Sequence, residues 1–195
     1  GLLARSEGPI LEMRGYEAHK GSHSPFSMRW RDAGGGALLR LGAHPIGAML
    51  WLKRREGERM RGAPTRCVRV TCNAAVLTQN PDFSRAASPI ADAWVDVENW
   101  ACTILEFEDG ARGIAWASDN QLGGMQSKLE FNASRARFEV SMSPNDALRA
   151  YTPDAAVFGD AYIQEKLDGG AGWSTPIPSE DVSSGQFVMI DDFVS

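Results

Sequence analysis

From Cys67 onward, apolar residues return at every second position in runs separated by short turn signals. A strand shows its side chains alternately to two faces, so a period of two commits this part of the chain to sheet. Over residues 67–74, Val68, Val70, Cys72 and Ala74 fall on one side, and Arg69, Thr71 and Asn73 on the other. Further strands are predicted over 98–107 and 111–118, joined by the tight-hairpin signal Glu108-Asp109-Gly110. Residues 128–132 and 135–140 alternate in the same way and predict a second hairpin turning at 132–134, and 147–152 adds one more strand. Consecutive hairpins make an antiparallel sheet with one polar and one apolar face, and the apolar face needs a cover.

The cover is upstream, where the period is helical. Gly34-Gly35-Gly36 opens a pattern that runs to about Lys53, with Leu39, Ala43, Ile46 and Leu50 in one stripe and Leu38, Leu41, Met49 and Leu52 in another. Residues 54–61 are charged and read as a solvated loop, 9–19 as a strand, and 20–25 as a loop. The fold class expected is α+β, an open, mostly antiparallel sheet with helices packed on one face. Residues 153–185 are rich in Gly, Pro, Ser and Asp and read as a long loop that serves a ligand or an interface. Residues 186–194 restart a helical pattern that Ser195 cuts short, and Gly1 leads almost at once into a strand. The expectation is one domain over 1–195, truncated at both ends.

With 195 residues, 43% of them apolar, the chain has material for one ordinary core or at most two small ones. Twenty basic against 25 acidic residues leave a net charge of −5, which lacks the basic footprint of a nucleic-acid or anionic-membrane binder. The longest apolar stretch, 34–52, holds Arg40, His44 and Pro45 and reads as a buried helix, so no membrane span is expected. Cys67, Cys72 and Cys102 are odd in number and lack CxxC spacing, and the first two face opposite ways on a shared strand. No disulfide and no structural zinc are expected. A reducing, cytoplasmic setting without a signal peptide fits.

His44 is the foremost candidate for chemistry. It follows Arg40 by four residues, so the two share a helix face, with Gly36 and Gly47 near it leaving room for a ligand. Such a histidine is either a general acid or base or a satisfied core residue, and residue types alone favour the second. His19 and His23 stand at a strand end and in the loop that follows it, without the carboxylate or thiolate company of a metal site, and ligand contact through the loop is their functional reading. The triple glycine lacks the Lys-Ser/Thr of a Walker loop and the GxGxxG order, and close backbone packing explains it better than phosphate binding. Asp191 and Asp192 read as a solvated face, and Trp94, Trp100, Trp116 and Trp173 as core or interface anchors.

The block Arg31-Asp-Ala-Gly-Gly-Gly-Ala-Leu-Leu-Arg-Leu-Gly-Ala-His-Pro-Ile-Gly47 resembles the start of the C-terminal domain of the glucose–fructose oxidoreductase, inositol dehydrogenase and rhizopine-catabolism (Gfo/Idh/MocA) family. Val97-Glu-Asn-Trp-Ala-Cys-Thr-Ile-Leu-Glu-Phe-Glu-Asp-Gly-Ala111 is similar to the family's hairpin, and Gly172-Trp173 with Met189-Ile-Asp-Asp-Phe-Val194 to its closing segment. The resemblance implies a dihydrodipicolinate-reductase-like α+β domain that binds a sugar, cyclitol or related secondary alcohol or ketone. It implies NAD or NADP held mainly by a separate N-terminal Rossmann domain, and a homo-oligomer built through the open sheet face, here bearing Arg69, Thr71 and Lys128. The family's usual set is a lysine from the other domain with an Asp and a His four apart on this helix. His44 matches the His as the catalytic candidate, Arg40 stands where the Asp is common, and Gly47 where a second Asp often follows. Arginine is always cationic and only donates. The expectation is that Arg40 binds an anionic or carbonyl oxygen of substrate, beside a neutral His44 that carries the proton. His19 and His23 are the further substrate-contact candidates. By itself the segment is expected to be inactive, and the alternative is a non-catalytic ligand-binding or scaffolding member of the family.

Overall fold

Both hairpin signals close hairpins. In the computed structural model the described residues are 5, 8–22, 24–83, 87–122, 125–141, 148–157 and 171–174. His23, the helical pattern at 186–194 and the pair Asp191 and Asp192 lie outside them. Strands β3 (Trp100–Phe107) and β4 (Arg112–Ser118) turn at Gly110, whose φ of +88° is a left-handed conformation that glycine adopts without a Cβ penalty. Strands β5 (Gln126–Ala133) and β6 (Ala136–Ser141) turn at 134–135, slightly beyond the predicted position.

With β1 (Ile10–Ala18), β2 (Cys67–Ala75), β7 (Leu148–Thr152) and β8 (Gly172–Ser174), these strands form one eight-stranded sheet in the order β2-β3-β4-β1-β5-β6-β7-β8. All its pairs are antiparallel except β1 with β4, which run parallel in the register Glu12↔Arg112 to Ala18↔Ser118. The α+β expectation holds. The segment read as a long loop contributes β8 at the sheet edge and a short turn at Ala155–Val157 whose Val157 is buried. Cys67, Cys72 and Cys102 are free.

A short helix α1 (Trp30–Ala33) and a π turn (Leu38–Gly42) lead into the main helix α2 (Ala43–Arg61). Residues 54–61 are therefore helical, not the loop that their charge suggested. Arg54 and Arg55 pair along the surface with Glu58, and Lys53, Glu56 and Gly57 are buried, so the polar letters disguise a helix with a core-facing side. Of the two stripes, Leu41 and Met49 are buried, whereas Leu39, Ala43 and Leu50 face solvent and Ile46 packs at the core's edge. The helix lies close on the sheet because the strands beneath it are small there. A Cβ on Gly15 would come within 2.9 Å of Pro45 Cβ and 3.0 Å of Met49 Cε. Around this contact Ile10, Met13, Met49, Leu105, Phe107, Phe131 and Phe138 form the core, with the Phe131 and Phe138 rings stacked at 4.8 Å.

α2 packs over β1, β4 and β5 and leaves β2 uncovered, so Val68 and Val70 are 62% and 57% exposed. On the opposite face Tyr16 stacks on Trp116 at 4.5 Å, and Arg69, Thr71 and Lys128 share that open side. Trp173 stands there too, against Tyr151 and under the guanidinium of Arg149.

The helix and the sheet are pinned by a buried ionic cluster that the sequence reading did not single out. Lys53 is fully buried, and its Nζ donates to Glu56, to Asp109 Oδ2 at 2.7 Å and to the Ile10 carbonyl at 3.2 Å. Glu56 in turn accepts the Ile10 N–H, so two side chains of one helix close both polar groups of Ile10 at the start of β1. Burial works to raise the Asp109 carboxyl, but the Lys53 hydrogen bond, the Ala111 N–H and the charges of Lys53 and Arg61 outweigh it and hold it below its ordinary 3.8. A depressed carboxyl contributes stability in full above the unfolded value, and loses it as pH falls through the folded one. Asp109→Asn is expected to cost on the order of 1–2 kcal/mol at neutral pH. The difference from wild type in urea unfolding should shrink as pH drops below 3.8.

Candidate functional site

The parallel pair β1/β4 ends side by side, and the chemistry-bearing residues collect at those carboxyl ends. His19 N–H donates to the Ser118 carbonyl at 3.0 Å, Gln121 N–H to the His19 carbonyl at 2.9 Å, and Asp119 N–H to the Asn99 carbonyl at 2.8 Å. The two exits are thus stitched to each other and to the start of β3. Above them sits the π turn, where Gly42 faces Ala117 and Leu41 packs with Ala37 and Ala117.

The glycines before the helix have a structural explanation. Glu98 lies under the helix start, its carbonyl accepting Ala37 N–H at 2.9 Å and its carboxylate accepting Gly36 N–H at 3.2 Å and Leu38 N–H at 2.9 Å. These are the donors that a helix leaves unpaired, and a negative charge there opposes the dipole. A Cβ on Gly36 would fall 1.9 Å from the Glu98 carbonyl oxygen, so only glycine permits the approach. Of the three glycines Gly36 makes the close backbone approach, Gly34 ends α1 in a left-handed conformation at φ +74°, and a carboxylate occupies the place where a phosphate would bind. Gly36→Ala is expected to destabilise the protein by roughly 3 kcal/mol, because the clash is with backbone rather than with a flexible side-chain tip. Urea or thermal unfolding measures it.

Arg40 and His44 reach different partners, Arg40 the residue that follows β4 and His44 a residue of β1, because the π turn that holds Arg40 changes their phase around the helix. Arg40 Nη2 donates to Asp119 Oδ2 at 2.5 Å, and its guanidinium lies 5.4 Å from the centre of the Trp94 ring. Its side chain is 18% exposed, and Asp119 is fully buried. His19 lies on the other side of the same carboxylate, with Nδ1 at 3.5 Å from Asp119 Oδ1. That nitrogen also accepts the Gly21 N–H at 2.9 Å, an acceptor role that places the proton of a neutral His19 on Nε2. Burial pushes the Asp119 carboxyl above its ordinary range. Arg40 and His19 pull it down without overcoming that effect, and the charge of Glu98 adds to the rise.

His44 meets a carboxylate that the sequence reading missed. Its Nδ1 is 2.8 Å from Glu17 Oε2, and Ser127 Oγ donates to the same oxygen at 3.0 Å. The Glu17 side chain is 5% exposed and that of His44 is 65% exposed, so the pair runs from a buried anchor to an open imidazole. A Cβ on Gly47, one turn further along, would meet nothing within 4 Å, and the ground beside His44 is open. The sequence expectation set a bare Arg40 cation against His44. The structure corrects this, because Asp119 balances Arg40 and the group that faces His44 is an anion.

His44, Arg40 and His19 therefore gather at one end of the sheet, on two separate carboxylates. Glu17 carried a usable signal, as a charged residue in the inward phase of β1 with Met13 and Gly15. Asp119 carried only its position after β4, and Glu98 is the acidic residue that opens the family-like hairpin block. No group of three or more His, Cys, Asp or Glu among the described residues could hold a metal ion, and no helix there is long and apolar enough to cross a membrane.

A family model described as the GFO/IDH/MocA C-terminal domain matches residues 6–139. No curated protein matches the chain in sequence. Among solved structures, GenD2 from gentamicin A biosynthesis, in complex with NAD, is 22% identical with a TM-score of 0.57, over 99% of this chain and 49% of that one. Apo levoglucosan dehydrogenase is 17% identical with a TM-score of 0.62, over 98% and 51%. An inositol dehydrogenase homolog from Azotobacter vinelandii, complexed with NAD+, is 21% identical with a TM-score of 0.52, over 83% and 43%. At these identities the likeness establishes the fold. The chain spans about half the length of the solved structures it matches.

Proposed function

The chain belongs to the GFO/IDH/MocA C-terminal-domain family, and on that premise we propose that it is the substrate-binding half of an NAD(P)-dependent oxidoreductase. Its substrate class is a sugar, a cyclitol or a related secondary alcohol or its ketone. The observation that carries this reading is the His44–Glu17 pair, an open imidazole backed by a buried carboxylate beside unfilled space. A nicotinamide, when bound, would exchange a hydride with the substrate carbon. The helix start in this chain offers it no phosphate cradle, since Glu98 fills that place. In this reading the cofactor is bound mainly by a separate nucleotide domain, and the half-length match supports that reading.

The chain's own part is the proton. In alcohol oxidation His44 Nε2 accepts the hydroxyl proton as the carbonyl forms, and in reduction it returns that proton to the nascent alkoxide. Arg40, paired with Asp119, and His19, which lies beside that carboxylate, are each partly open; they form the neighbouring wall and meet substrate oxygens through their exposed edges. The open sheet face with Tyr16, Trp116 and Ile104 is the surface through which copies assemble, and the three free cysteines suit a cytoplasmic enzyme.

The test is nicotinamide absorbance of the intact protein with a panel of sugars, cyclitols and their acids, supplied with NAD and with NADP. Turnover on at least one secondary alcohol is the expected result. A flat absorbance with ligand binding intact would favour the non-catalytic member of the family instead.

A further inference from the structure

We infer that Glu17 is the positioning residue of this site: it fixes the proton of neutral His44 on Nδ1, so that Nε2 is the atom that exchanges protons with substrate. The inference rests on the reading of His44 as the proton carrier. It is independent of which alcohol is bound.

The argument is one of donors and acceptors. An ionised carboxylate only accepts, so the 2.8 Å contact between Glu17 Oε2 and His44 Nδ1 needs its hydrogen on the imidazole. Ser127 Oγ, donating to the same oxygen at 3.0 Å, supplies the second donor that a buried carboxylate needs and holds its plane from β5. Glu17 is built into β1, whose pairing with β4 on one side and β5 on the other leaves its backbone no freedom. The imidazole, by contrast, hangs from the first turn of α2 and is 65% exposed. Without an anchor, an exposed histidine samples several rotamers and both tautomers. Glu17 removes both freedoms and leaves the Nε2 lone pair as the open one.

Arg40 completes the reasoning. It occupies the helix position one turn before His44, but its guanidinium is committed to Asp119 and to the Trp94 face. A cation could not accept the Nδ1 proton in any case. The carboxylate that orients the histidine is therefore supplied across the sheet from β1 rather than along the helix. When Nε2 takes a proton, Glu17 stabilises the imidazolium while staying ionised, and the proton leaves to solvent from the exposed edge.

The experiment is imidazole 15N NMR on the intact, histidine-labelled protein, with His44→Ala used to assign the His44 signals, together with steady-state kinetics of the Glu17→Gln variant. Wild type is expected to show Nδ1 protonated and Nε2 bare in the neutral ring. Glu17→Gln should mix the tautomers and lower kcat by about 10- to 100-fold, the range known for removing a carboxylate behind a ligating histidine, with KM little changed. Glu17→Asp should recover part of kcat. A wild-type ring protonated on Nε2 overturns the inference even if Glu17→Gln does not fold. If His44→Ala is inactive while Glu17→Gln keeps its kcat, Glu17 loses its role and His44 keeps its own. If His44→Ala turns over normally, the reading of His44 as proton carrier fails, and the positioning role of Glu17 fails with it.

Discussion

His44→Ala is expected to lower kcat/KM of the intact protein by about 10²- to 10⁴-fold, the usual contribution of a positioned general acid or base. The loss should fall mainly on kcat, because the imidazole moves a proton and the neighbouring wall keeps its substrate contacts. The fold should tolerate the change. His44 is 65% exposed and leaves no cavity, and Glu17 keeps the Ser127 hydroxyl as a donor. The cost in stability is therefore limited to one lost partner of a buried carboxylate, about 1–3 kcal/mol. Thermal unfolding checks that the variant is folded, and nicotinamide absorbance at saturating substrate reads the loss. Retained turnover in a folded variant would remove His44 from the chemistry.

Lys53→Ala is the substitution expected to cost most in stability, about 3–5 kcal/mol, the range for removing one member of a buried ionic group. The reason is what it leaves behind. Glu56 and Asp109 lose their shared cation, the Ile10 carbonyl loses its donor, and the space of a fully buried side chain opens over Phe107. Lys53→Met separates the charge from the packing. It refills most of the volume but pairs neither carboxylate, so it should remain within about 1 kcal/mol of the alanine variant. Urea unfolding of both variants measures this. Recovery of most of the stability by methionine would show that the site is held by packing rather than by charge.

Much of the fold was legible because it depends on local period and turn chemistry. Alternation located β2 to β7 within a few residues, and Asp109-Gly110 located one hairpin. The misreading at 54–61 has a clear cause. Lys53 and Glu56 are the letters of a solvated surface, and only their mutual pairing under β1 and the β3–β4 turn makes them interior. The parallel join of β1 and β4 was equally hidden, since pairing between strands about a hundred residues apart leaves no mark on either. The exposure of Val68 and Val70 depends on where α2 lies, which their alternation does not say.

The candidate site divides along the same line. The sequence by itself determined that an α+β domain would form, that a glycine-flanked helix would carry His44 and Arg40, and that the glycines before the helix would not make a phosphate loop. Those properties follow from residue size, backbone freedom and period, all of which are local. Only the tertiary structure decided which carboxylate meets which base. Glu17 reaches His44 because β1 lies beneath α2, and Asp119 takes Arg40 because β4 ends beside β1 under the π turn. A hydrogen bond needs its partners about 3 Å apart, and across 27 or 79 residues of chain that distance is set by the packing of helix on sheet.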